Sequence, residues 1–177
     1  EDSVAPAFCD VFEQAPMTSS PDYSSWLIAT VSKYKIDIVI PGIEADMYHF
    51  AANYNSLVEA GVRPMLNRES LVLLCKDKWR FYTEAERAGL SCLILSKVEG
   101  DFLSLSCELG LPFLLKPREG FGSKGIKIVK CEADFDLYGG NLGSKLMAQP
   151  IVGDDENEFT IGAFCDGAGG YFAAICL

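Results

Sequence analysis

Lys116 closes an apolar run, Phe113-Leu-Leu-Lys. A few residues later come Gly120, Gly122, Ser123, Lys124 and Gly125, and then a second, alternating run, Ile126-Lys-Ile-Val129. Lysine supplies a compact positive charge and serine a hydroxyl donor. Glycine lets the backbone approach a ligand closely enough for N–H groups to point at phosphate oxygens. The spacing therefore suits a strand, a glycine-rich turn and a second strand folding over a triphosphate. The bland alternative is an ordinary hairpin with a flexible tip, and the lysine before the turn and the Ser-Lys within it weigh against that alternative.

Gly120, Gly122 and Gly125 also satisfy a bare dinucleotide fingerprint, which must open into a helix whose N-terminal amides hold the pyrophosphate. Here the turn opens into a β-branched run that favours a strand. The acids that follow, Glu132, Asp134 and Asp136, come too early for the ribose contact. The chain has no Gly-x4-Gly-Lys-Ser/Thr string, and neither an HRD nor a DFG string to complete a kinase set.

The elements that must position these residues follow from periodicity. Ser20-Pro21-Asp22 opens a helix that runs to about Tyr34, Asp37 to Ile40 is a short strand, and Met47 to Ala60 is a helix closed by Gly61. Val62 to Leu66 is a strand that Pro64 assigns to an edge. Asn67 caps a short helix through Leu74, a second helix covers Lys76 to Ala88, and Ser91 to Leu95 is a strand. Asp101 to Leu109 is a helix stopped by Gly110, and after the glycine hairpin Lys145 to Ile151 forms a strand. Glu158 to Asp166 and Gly170 to Cys176 pair as a hairpin, and the acidic stretch 153–158 is a turn or hinge between lobes. Strand and helix alternate in the first part, an α/β pattern with a mainly parallel sheet, and the remainder reads as α+β.

The chain has 177 residues, 49% of them apolar, enough for one ordinary domain or two small lobes with real cores. A formal charge of −10 argues against a nucleic-acid partner. Lys116, Arg118, Lys124, Lys127 and Lys130 nevertheless concentrate positive charge locally, a field suited to a small polyanion. The seven cysteines form no CxxC pair and lie in apolar runs, which reads as reduced, buried thiols in a cytoplasmic protein; Cys165 and Cys176 belong to the core. The single histidine, His49, excludes a His-cluster metal site and is expected on a helix surface or in packing. With no long apolar run and no signal peptide, no membrane partner is expected. The chain starts at Glu1 and breaks off inside a strand-like run, Tyr171 to Leu177, so it reads as a piece of a longer polypeptide.

The order of these motifs resembles the ATP-grasp superfamily, particularly proteins similar to the large subunit of carbamoyl phosphate synthase, over nearly the whole chain. FCDVFEQAP and PDYSSWLIATVSKYKIDIVIPGIEAD look like the later half of that family's preceding α/β domain. CKDKWRFYTEAERAGL looks like its Asp-Lys helix, FLLKPREGFGSKGIKIV like its lysine strand and glycine loop, and LMAQPIVGDDENEFTIGAF like its adenine-linker segment. Each string alone is weak, and four in order are more specific. The resemblance implies an α/β and α+β fold: a partial Rossmann-like pre-ATP-grasp lobe over 1–66, incomplete at its N-terminus, then an ATP-grasp domain over 67–177 with the glycine-rich β-hairpin, incomplete at its C-terminus.

The resemblance also implies roles. Lys78 reaches nucleotide phosphates from the Asp-Lys helix, and Lys116 contacts phosphates or adenine. Gly122, Ser123, Lys124 and Gly125 close over the β and γ phosphates. Gln149, Pro150 and Ile151 line the adenine, and Glu158 accepts from the ribose hydroxyls. Lys78 has a competing reading as an exposed helix lysine, Glu158 as a solvated turn acid, and many relatives carry Glu where Gln149 stands. The implied cofactors are ATP and Mg2+, the metal ligands lying beyond Leu177, because Asp154, Asp155 and Glu156 are turn residues and poor substitutes. No residue is assigned as catalytic. The implied activity of the parent is a carboxylate–amine ligase that activates a carboxylate or bicarbonate as an acyl phosphate for attack by an amine donor. This stretch alone would bind nucleotide weakly and not ligate. The partners are small molecules, and a homodimer is compatible with the pattern. Two rivals stay open: a non-catalytic nucleotide sensor on the same fold, and a Rossmann-type reductase, which requires a helix after Gly125.

Overall fold

A computed structural model describes residues 4–154, 156–157 and 159–176. The chain forms two compact units, Glu1–Glu84 with Glu119–Gly122 and Ala85–Arg118 with Ser123–Leu177.

In the first unit, α1 (Tyr23–Tyr34) buries Tyr23, Leu27 and Val31, four residues apart and therefore on one stripe. Its cap position is Asp22, whose side chain makes no capping bond, and Ser20 Oγ accepts from the Asp22 N–H at 3.3 Å, so the helix starts later than the Ser-Pro-Asp signal suggests. Lys35, at φ 52, ends it. Strand β1 (Ile38–Val39) pairs in parallel with β2 (Arg63–Pro64). The Arg63 and Met65 N–H groups, each 2.8 Å from its acceptor, face β1, so the donor that Pro64 lacks falls on the other side, as expected of an edge.

The crossover between them is two helices, α2 (Glu44–Ala52) and α3 (Tyr54–Glu59), where one was expected. Asn53 lies between them at φ −114, and its side-chain amide donates to the His49 carbonyl at 2.9 Å. An Asn side chain competing for backbone acceptors disfavours a continuous helix. Phe50, Leu57 and Val62 meet the α1 stripe, with Trp26, Ile28, Val39 and Leu66 packed around them. His49 stands at this seam, its Nε2 3.0 Å from Ser24 Oγ and its ring edge-on to Tyr23. The Tyr23 hydroxyl is pushed up to about 12 by burial and by its bond to Asp46. Helix α4 (Glu69–Lys76) follows Arg68, not the expected Asn67 cap, and makes no side-chain cap.

In α5 (Lys78–Arg87), which begins in the first unit, Asp77 Oδ1 accepts from the N–H groups of Trp79 and Arg80 at 3.0 and 3.3 Å. That is a true N-cap, and it makes Lys78 the first helical residue.

The second unit is built on a three-stranded antiparallel sheet ordered β4-β3-β5: β3 (Phe113–Pro117), β4 (Lys127–Val129) and β5 (Leu146–Pro150). One face packs on α6 (Phe102–Leu109) and α7 (Glu132–Tyr138), burying Phe113, Leu115, Val129 and Ala148 with Leu105 and Leu109. Asp101 caps α6 by accepting from the Ser104 N–H at 2.8 Å. The expected strand over Ser91–Leu95 does not form. Just after it, a single backbone bridge pairs Lys97 with Ala148 of the sheet, and Ile94 and Leu95 stay exposed. A hairpin of β6 (Ile161–Cys165) and β7 (Tyr171–Cys176) is exposed at every residue on both strands. Cys165 and Cys176 are therefore not core residues, and all seven cysteines are exposed. In α6 the reason is helical: Leu105 takes the buried face, and Cys107, two residues on, falls on the other. Residues 153, 154, 156 and 157 lie inside the second unit, so the described part of the expected hinge joins no two units.

Candidate functional site

Strand β3 sorts its side chains by alternation. Phe113 and Leu115 point into the core, so Leu114 and Lys116 take the opposite face. The register carries this to β5. Leu114 stands opposite Gln149 and Lys116 opposite Met147, so Lys116 and Gln149 are diagonal neighbours on the face away from the aromatic core. Phe113 stands opposite Pro150, which falls on the core side of the sheet.

Gln149 is committed to a structural bond. Its Nε2 donates to Ser96 Oγ at 2.6 Å, and that hydroxyl donates to the Ile94 carbonyl at 3.0 Å. Ser96 is 2% exposed, so this pair fastens the irregular 94–97 segment to β5 alongside the Lys97–Ala148 bridge. At the end of β5, Pro150 has no N–H to give, and Ile151 after it is exposed. Glu158 and Asp155 lie outside the described residues. Asp154 accepts from the Glu156 N–H and the Asn157 side chain at 3.1 and 2.6 Å, a local turn.

Between β3 and β4 the chain turns back over residues 118–126 and returns as a strand, not a helix. A dinucleotide loop therefore does not form between β3 and β4, and the helix that a Rossmann-type reductase requires after Gly125 is not found. Arg118 anchors the base of the turn, donating from Nη1 to the Gly143 carbonyl at 2.6 Å and from its backbone N–H to Lys145 O at 2.9 Å. Gly122 and Gly125 adopt φ 63 and 82, and Ser123 between them sits at φ 55, a conformation few non-glycine residues take. Gly125 is also required for space, because a Cβ there would lie 2.9 Å from Pro117 Cγ. Ser123 and Lys124 are exposed on this turn.

The tip of the turn, Glu119–Gly122, packs with the first unit. There the Lys78 ammonium donates to the Gly120 carbonyl at 2.5 Å, and Lys76 Nζ lies 3.7 Å from the Glu119 carboxylate. Lys76 also stands over the Tyr48 ring, 5.6 Å from its centroid. The Tyr48 hydroxyl is held above its ordinary range, first by burial and then by the charge of Glu44.

The structure thus brings Lys78 to the glycine turn and Lys116 to Gln149. Asp77, which fixes the start of α5, was legible as an Asp before a helical run, whereas nothing in the sequence marks Glu119 or Lys76 as contacts of the turn. A concavity of about 720 Å³ in the first unit, lined by Asn53, Tyr54, Ser56, Asn67, Arg68 and Glu69 among others, includes none of the expected site residues. Among the described residues no three His, Cys, Asp or Glu side chains gather as a metal site, and no helix is long and apolar enough to cross a membrane.

No family model matches the sequence, and no curated protein matches it. Solved structures do. The chain superposes on a biotin carboxylase beta-gamma-ATP complex from Campylobacter jejuni with a TM-score of 0.66 at 18% identity, covering 88% of this chain and 38% of that one. It matches a carboxyaminoimidazole ribonucleotide synthase from Aspergillus clavatus complexed with ATP with a TM-score of 0.63 at 14% identity, covering 99% and 44%. The biotin carboxylase domain dimer of the Hydrogenobacter thermophilus 2-oxoglutarate carboxylase, in complex with MgADP, ADP and bicarbonate, matches with a TM-score of 0.57 at 19% identity, covering 80% and 34%. These neighbours are ATP-grasp enzymes, and the likeness is one of fold. The chain spans well under half the length of the solved chains it matches.

Proposed function

We propose that this chain is the nucleotide-holding part of an ATP-grasp ligase similar to carbamoyl phosphate synthase, with a pre-ATP-grasp lobe over 1–66 and the ATP-grasp domain from 67 onward. The observation that carries the reading is the turn at 118–126. It runs from one antiparallel strand to the next, contains glycines at positive φ, follows a strand lysine, and has the Lys78 ammonium at its tip.

ATP, when bound, supplies a γ-phosphoryl group that a carboxylate or bicarbonate oxygen takes up, giving an acyl phosphate and ADP; an amine then displaces phosphate. The residue types suit a polyphosphate. Lys78 and Lys116 offset charge, Ser123 and Lys124 add donors at the exposed turn, and the glycines at 122 and 125 let backbone amides approach. These residues orient and neutralise, and no covalent role falls to the chain. Gln149 serves the adenine side by holding β5 to the 94–97 segment, while the backbone of Pro150 and Ile151 reads the adenine edge and Glu158 takes the ribose hydroxyls. The ATP, MgADP and bicarbonate found with the neighbours support this substrate class. Mg2+ is the accompanying ion, held by carboxylates beyond these residues. The protein works in the cytoplasm on small molecules.

Calorimetric titration with ATP and a non-hydrolysable analogue, with and without Mg2+, tests the proposal. Binding that Lys116→Ala weakens at least roughly tenfold supports it, and equal binding by wild type and variant refutes it. Binding with no turnover by the full-length protein identifies a sensor instead of a ligase.

A further inference from the structure

The tip of the glycine turn is fastened by its own acceptors. Gly120 gives its carbonyl to the Lys78 ammonium, and Glu119 gives its carboxylate to Lys76. Lys76 is itself steadied over the Tyr48 ring, so α2, the α4–α5 junction and the tip form one cluster within the first unit.

We infer that Glu119 and Gly120 form a latch: in the absence of ligand they occupy the ammonium groups at the α4–α5 junction, and they yield when a nucleoside triphosphate takes up Lys78. This deepens the nucleotide reading and rests on it for the identity of the ligand. The chemistry favours a contact that is made and broken. The Lys76 and Glu119 side chains are 45% and 59% exposed, and an ion pair so open to water is weak and screened by salt. A polyphosphate presents several anionic oxygens to the same site, against one carboxylate and one carbonyl, so it competes effectively. Removing the Glu119 charge then has two consequences: the empty turn loosens, and the ligand meets less competition.

The test is amide hydrogen exchange over residues 119–125 without ligand, in wild type, Glu119→Gln and Lys76→Gln, together with ATP titration of wild type and Glu119→Gln. Both substitutions are on the surface and leave the cores untouched. The latch predicts exchange about two- to fivefold faster at the tip in both variants, unchanged exchange in β3, and ATP binding about two- to fivefold tighter in Glu119→Gln. High salt brings wild-type exchange toward that of the variants. Unchanged exchange at the tip in both variants overturns the latch, and so does faster exchange with ATP binding unchanged or weaker in Glu119→Gln. Faster exchange with no ATP binding by any form overturns the nucleotide reading and leaves the fastening of the tip intact.

Discussion

Lys78 stands at the first residue of a helix and Lys116 at the fourth residue of a five-residue strand, and the two supports differ in kind. Lys116 is fixed by its neighbours in sequence. Phe113 and Leu115 are fully buried, so the pleat leaves position 116 one direction to face. Lys78 is fixed by its ends: a single carboxylate cap from Asp77 sets where α5 begins, and one bond to the Gly120 carbonyl sets where the ammonium rests. The strand lysine is held by a buried pleat, the helix lysine by one cap and one exposed bond.

The comparison breaks most easily at β3. Phe113→Ala removes a ring enclosed by Phe102 and Phe135 and is expected to cost about 3–5 kcal/mol in chemical denaturation. A loss below about 1.5 kcal/mol would mean that the strand is not held by its buried face. In the turn, Gly125→Ala meets both a positive φ and the Pro117 ring, and Gly122→Ala meets the positive φ alone. The expected cost is about 1–2 kcal/mol at Gly122 and more at Gly125, read from the same denaturation curves. Equal costs would show that Pro117 moves aside. On the helix, Asp77→Ala should lose about 1 kcal/mol and lower nucleotide affinity with it, while Asp77→Asn, an equally good cap, should restore both.

The smallest effect is one of pH. The Asp101 carboxyl, bonded to the Ser104 N–H, is held below its ordinary value of 3.8. A depressed carboxylate stabilises the fold fully above the unfolded value, and that stability is lost as pH falls through the folded one. The melting temperature of wild type should therefore exceed that of Asp101→Ala at neutral pH, with the gap narrowing only below about 3.8. A gap that is constant down to strong acid would place the role of Asp101 elsewhere.

Much of this was legible in the sequence where local chemistry decides. The α6 helix between Asp101 and Gly110, the edge character of Pro64, and a strand instead of a helix after Gly125 all follow from capping, missing donors and β-branching. The failures came where tertiary surroundings decide. Asn53 carries no mark that its amide will take the His49 carbonyl, and Ser91–Leu95 has the composition of a strand but the one bridge to the sheet falls after it, at Lys97. The cysteines lie in apolar runs, yet each falls on an open face. At the site, Lys116 and Gln149 were foreseen as neighbours of one ligand, but the bond from Gln149 to Ser96 was not, since a contact between residues 53 positions apart leaves no local trace. The hold of Glu119 and Gly120 on the α4–α5 junction was hidden for the same reason.

ATP titration of wild type, Lys116→Ala and Lys78→Ala by calorimetry decides whether these two lysines hold a triphosphate. A charge-assisted contact to phosphate contributes about 1.5–3 kcal/mol, so each substitution should weaken binding by roughly ten- to a hundredfold, with the unfolding midpoint little changed. Undiminished ATP affinity in both variants would contradict the account.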